Sequence, residues 1–183
     1  MVRFALVCLL LLVTSAVAQQ ERKRDPLNDL EVDKIRDSAL QPEVRLKLYV
    51  DFARARLEKL QQAKADPKMG NRDDQIKNAL QDFVGIYDEL ADNVDTFADR
   101  GDDIRKPLKG VIEADTEFGS KLRAFKSSLA SSREEAGKFD FLAGTALQAV
   151  DDGARDHRSL LAEQEEKFKN KKEKPHKEQK GGE

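Results

Sequence analysis

From Ile76 to Phe97 the apolar residues recur at alternating intervals of four and three, through Leu80, Phe83, Tyr87, Leu90 and Val94. Spacing that averages 3.5 draws one continuous stripe along an α-helix and scatters over both faces of a strand. Such a helix must hide its stripe against other helices. Val84, Ile86, Ala91 and Ala98 flank the seam, so this helix touches more than one neighbour, as in a multi-helix bundle rather than a two-stranded coiled coil.

Three other segments repeat the pattern. The first is Leu46, Val50, Ala53, Leu57 and Leu60; it opens at Pro42, which suits a first helical residue, and ends near Ala65, before Asp66-Pro67 and Gly70. The second is Ile104, Leu108, Val111, Asp115, Phe118, Leu122, Phe125 and Leu129, with Pro107 in its first turn. The third is Ala143, Leu147, Val150, Ala154, His157, Leu161, Gln164 and Phe168, small-faced at Ala146, Ala149 and Gly153. Asn71 is the expected cap of the Ile76–Phe97 helix, Gly101 its stop, and Asp102 or Asp103 the start of the next. Ser132 with Glu135 reads as a capping box after a turn; the alternative is one unbroken helix from Ile104 to Phe168. A shorter helix is predicted from Asp29 to about Ala39, capped by Asn28 with Glu31, stapled by Leu27 and Val32, and burying Val32, Ile35 and Ala39.

The expected fold is therefore all-α: over residues 28–165, an antiparallel bundle of four long amphipathic helices plus a short N-terminal helix. The alternative, an elongated three-helix coiled coil, follows if the Ser132 turn does not form.

Residues 1–18 read as a cleavable signal peptide: Arg3, an apolar run from Phe4 to Val13, then Ala16-Val17-Ala18, with cleavage between Ala18 and Gln19. The run is too short to span a bilayer, and no other apolar run is long enough. Cys8 lies inside it, so the processed chain holds no cysteine for disulfides or thiolate chemistry. Residues 19–27 are expected to be flexible, and residues 166–183 to form a charged, largely disordered tail. The expected location is the periplasm or the outside of the cell.

If turns near Pro67, Gly101 and Ser132 join antiparallel neighbours, residues equidistant from a turn lie level. Asp115, the one charged member of its seam, comes level with Tyr87 and with Ala149, and Tyr87 comes level with Tyr49. A buried carboxylate needs a donor and a phenol is one. Tyr87, with Tyr49, is expected to bond Asp115 in a polar layer that fixes register, or in a small-ligand pocket beside Ala149 and Gly153. Leu161 comes level with Asp103, so residues beyond Glu163 should project from the bundle.

Asp88, Asp92, Asp95 and Asp99 make a second candidate, an acidic outer face for a basic partner or a divalent cation. Loop spacing for calcium is missing. His157 has no carboxylate three or four residues before it and reads as a packed histidine; His176 falls in the tail. No catalytic residue, metal centre or cofactor is indicated by motif. With 33 basic against 35 acidic residues, no field draws nucleic acid. The expectation is an exported non-enzymatic helical protein: an adaptor, scaffold or chaperone-like module whose partner is another protein, with self-association left open. The alternative is a small-ligand or divalent-cation binding bundle in the cell envelope.

Overall fold

The computed structural model describes residues 24–172, with side chains through Lys169. The signal peptide, its cleavage point, Cys8, His176 and the tail beyond residue 172 lie outside the described residues. The helices are α1 (Asp29–Asp37), α2 (Pro42–Ala65), α3 (Arg72–Asp99), α4 (Arg105–Leu129) and α5 (Arg133–Lys172), with no strand among the described residues. None of these helices is long and apolar enough to cross a membrane. The chain is an all-α bundle of four long helices and a short one. The break at Ala130–Ser132 sets aside the three-helix alternative.

Local chemistry accounts for most helix ends. Asn28 and Glu31 form the reciprocal capping box at the start of α1. At the end of α3, Gly101 adopts φ 80°; its N–H bonds the Ala98 carbonyl and that of Asp102 bonds the Phe97 carbonyl. This is the Schellman arrangement, which needs a left-handed residue at that position. Ser132 Oγ accepts the Glu135 N–H at 3.3 Å, but the Glu135 carboxylate reaches instead to Lys64 and to Arg72, tying three helices at that end of the bundle. Asn71 does not cap α3: it sits in the left-handed region, φ 54°, and makes no side-chain capping bond. Nor do Asp102 and Asp103 cap α4, whose N-cap position is the buried Ile104. α1 stops at Asp37, and its exit buries Ser38 while Ala39 stays exposed.

The helices pair as two antiparallel hairpins, α2 with α3 and α4 with α5. The hairpins then pack with α3 against α5 and α2 against α4, so these second neighbours run parallel. The Gly101 turn therefore joins helices on a diagonal, not side by side as the level argument assumed. Five residues, Arg100 to Ile104, separate α3 from α4 and allow that step. The core runs the length of the bundle, from Leu46, Val94 and Ile104 to Leu60, Ile76, Leu129 and Phe139. Phe83 and Phe118 meet edge-on at its centre, 5.5 Å between centroids. The end of α5 stays attached further than expected: Gln164 is buried and accepts the Ile104 N–H, and Arg105 lies over the Phe168 ring at 4.9 Å.

Candidate functional site

Asp115 occupies a seam position of α4 and is 2% exposed, so its carboxylate must be satisfied inside the protein. Tyr87 of α3 donates its hydroxyl to Oδ1 at 2.7 Å, as the sequence predicts. This bond spans the diagonal of the bundle. With helix axes about 8–10 Å apart along each side, a square bundle measures about 11–14 Å across. A tyrosine reaching for an aspartate covers that distance where two aliphatic side chains would leave a gap.

The second oxygen is taken by a residue the sequence reading kept apart. His157 Nδ1 of α5 stands 2.9 Å from Asp115 Oδ2. A carboxylate only accepts, so the proton of this contact belongs to Nδ1. The level argument puts Asp115 opposite Ala149, two turns away. Side chains on a helix lean toward its N-terminus, and α4 and α5 are antiparallel. Asp115 and His157 thus lean toward each other and meet between their Cα levels. His157 is 2% exposed, and its Nε2 is buried without a hydrogen-bond partner among the described residues.

Gly153, one turn before His157, completes the layer. A Cβ built there would stand 2.5 Å from the Tyr87 hydroxyl oxygen, so the missing side chain is the space in which that hydroxyl lies. Burial, and then the negative charge and hydrogen bond of Asp115, push the Tyr87 hydroxyl far above the ordinary tyrosine range.

Tyr49 does not join the layer. Its level is right but its direction is not: from α2 it faces the edge of α3, where its hydroxyl stands 3.5 Å from Glu89 Oε2 and the Arg45 guanidinium lies 5.8 Å from its ring centroid. Burial is the main cause of its own raised hydroxyl. Asp88, Asp92, Asp95 and Asp99 all lie on the exposed face of α3. Among the described residues, no group of three or more His, Cys, Asp or Glu side chains is placed to hold a metal ion.

The Asp115–His157 pair has the form of an oriented general base, but Nε2 points at no nucleophile and is closed to water. Open volume lies elsewhere. A cleft of about 820 Å³ runs between the N-terminal ends of α2 and α4, bordered by Pro42, Glu43, Lys106 and Gly110. Its charges are internally matched, Lys106 with Glu43 at 2.7 Å and Lys109 with Glu165 at 3.2 Å. Set against family models, curated proteins and solved structures, the chain has no match. The layer's chemistry must be read from its own geometry: three helices tied through one carboxylate, both of whose oxygens are occupied.

Sequence reasoning also missed the Arg56–Glu31 pair. Arg56 is 4% exposed and donates to Glu31 through both terminal nitrogens, at 2.7 and 2.5 Å. Burial alone would raise the Glu31 carboxyl, but the hydrogen bonds from Arg56 and the Asn28 backbone, with the charges of Arg56 and Lys59, outweigh it and hold it below the usual range.

Proposed function

We propose that this chain is an exported, non-enzymatic helical binding module, an adaptor or scaffold whose working surface is its exterior. The polar layer ties α3, α4 and α5 together and leaves neither Asp115 oxygen open for a guest. Its role in this reading is to specify one helix arrangement, as a buried polar group does in a coiled coil.

The observation that carries the reading is the placement of exposed apolar side chains. Among the described residues, the large ones are Leu30, Leu40, Val44 and Phe141, and all but Phe141 belong to α1, its exit or the first turn of α2. Leu48 continues the Leu40–Val44 stripe along the outer face of α2 and borders a shallow cleft there. Exposed apolar side chains gathered at one corner mark that corner as the partner-facing one.

The test is capture from cell-envelope extract by the immobilised processed chain, Gln19 to Glu183, beside a Leu40→Ser/Val44→Ser chain. A partner retained by the first and lost by the second is the expected result. Retention that ignores the double substitution, or no retention at all, overturns the reading. The carrier alternative draws on the unpartnered Nε2 of His157 alone.

A further inference from the structure

α1 and its exit carry their amphipathicity inverted. Glu31 and Ser38 are buried, while Leu30 is 74% and Leu40 79% exposed. Within α1 the buried large apolar side chain is Ile35. What holds this segment to the bundle is polar. Besides the paired bonds to Glu31, Arg56 donates to the Pro26 carbonyl at 2.7 Å. Arg24 meets Asp82 of α3 at 2.5 Å, and Arg45 donates to the Ile35 carbonyl at 2.6 Å. Pro26 rests on Gly85 of α3, where a Cβ would stand 3.0 Å from the proline Cγ.

These contacts make residues 24–37 separable from the rest. A helix of nine residues does not persist in water by itself, so losing the contacts unfolds α1. Little apolar surface is exposed when that happens, and segments with few apolar contacts open at low free energy. The hydrogen bonds of Arg56 all run to this segment. Departure of the segment returns the guanidinium to water instead of stranding it in the core.

We infer that residues 24–37 are a displaceable strap: they fill a groove between α2 and α3 built to take an acidic protein segment, with Arg56 as its carboxylate anchor and Gly85 as its proline notch. The segment that fits has a proline five residues before a glutamate, the spacing of Pro26 and Glu31. A guanidinium recognises that carboxylate with two parallel bonds, which sets direction as well as affinity. The inference rests on the binding-module reading for the existence of an outside partner. The opening of the strap does not depend on it.

The experiment uses the processed full-length chain, its Glu31→Ala and Gly85→Ala variants, and a fluorescent peptide of residues 24–38. Amide exchange in the parent chain should be at least about 100-fold faster in α1 than around Leu90 of α3. Both variants should speed α1 by about tenfold more and leave α3 as protected as before, since alanine suits a helix better than glycine. The peptide should bind the Glu31→Ala chain and fail to bind Glu31→Ala/Arg56→Ala. Equal protection of α1 and α3 in the parent, joint loss of protection in Gly85→Ala, or a peptide that ignores the Glu31→Ala chain each overturns the inference. Gly85→Ala leaves the ion pair intact, so it decides the matter even where Glu31→Ala does not fold. The capture experiment above, keyed to Leu40 and Val44, succeeds or fails independently of these results.

Discussion

The Tyr87 hydroxyl occupies the space where residue 153 would carry a side chain, with 2.5 Å between the oxygen and a Cβ built on Gly153. Two effects of Gly153→Ala oppose each other. Replacing a glycine inside α5 is worth about 0.5–1 kcal/mol to the helix. Forcing a methyl group into a filled core costs about 1–3 kcal/mol. The clash should win, because the displaced oxygen also loses its bond to Asp115. A net loss of about 1–2 kcal/mol in urea denaturation is expected. In a Tyr87→Phe background the oxygen is gone, and the same substitution should cost less. Equal costs in both backgrounds would show that the hydroxyl does not lie against Gly153.

The layer should respond to substitution as a unit. Tyr87→Phe removes one charge-assisted bond, worth about 1.5–3 kcal/mol. Asp115→Ala strands the Tyr87 hydroxyl and His157 Nδ1 in the core and should cost about 3–5 kcal/mol, the usual range for breaking a buried pair. Once Asp115 is gone, removing the hydroxyl has little left to break. The double variant should fall short of the sum by about 1–2 kcal/mol. Strict additivity would mean that the two side chains act separately.

The contrast between Tyr87 and His157 explains what was legible in the sequence. Elements with a local signature could be read directly: the unbroken seam of α3, the Asn28–Glu31 box, the stop at Gly101. The Tyr87–Asp115 contact was also within reach, because it needs only the turn position and equal distances from it. His157 was not, because level arithmetic works on Cα positions and ignores the opposite lean of side chains on antiparallel helices. Tyr49 shows the complementary failure, since a shared level does not fix the direction in which a helix turns a residue. The diagonal placement of α3 and α4 left no mark in either seam. The Arg56–Glu31 pair joins residues 25 apart in the chain, on helices of which one is held mainly by that pair. No periodicity records such a contact.

Two ionisable groups set opposite pH edges. The Glu31 carboxyl is held low, so the stability it adds is complete above its unfolded value, about 4.3, and is lost as pH falls through the folded value. Arg56, Lys59 and the Asn28 backbone N–H face it; Asp82 and Arg24 stand beyond Arg56. Protection of α1 amides should fall below about pH 4, before the bundle melts, and Glu31→Gln should remove that pH dependence. The Tyr87 hydroxyl is held high. Its contribution is complete below the unfolded value, about 10, and is lost as pH rises beyond it, because the unfolded chain gives up a proton that the folded one keeps. Denaturation midpoints should therefore decline above about pH 10, and less steeply in Tyr87→Phe. An identical alkaline slope in both chains would contradict the burial of that hydroxyl.

Gly101 and Gly110 offer a test of the diagonal crossing. Gly101 holds φ 80° at the end of α3, where its N–H and that of Asp102 close the last turn and aim the chain across the bundle toward α4. An alanine in that conformation costs about 1–2 kcal/mol. Gly110 lies nine residues further on, exposed within α4, and a Cβ there meets nothing within 4 Å. Alanine at that position should raise stability by about 0.5–1 kcal/mol. The two substitutions, chemically the same, should thus move the urea midpoint in opposite directions. Gly101→Ala carries a further expectation. If the left-handed residue is what directs α4 to the far corner, its loss should weaken the Tyr87–Asp115 bond that spans this diagonal. Tyr87→Phe should then cost measurably less in the Gly101→Ala chain than in the parent. An unchanged cost would mean that packing among α3, α4 and α5 holds the diagonal without help from the turn.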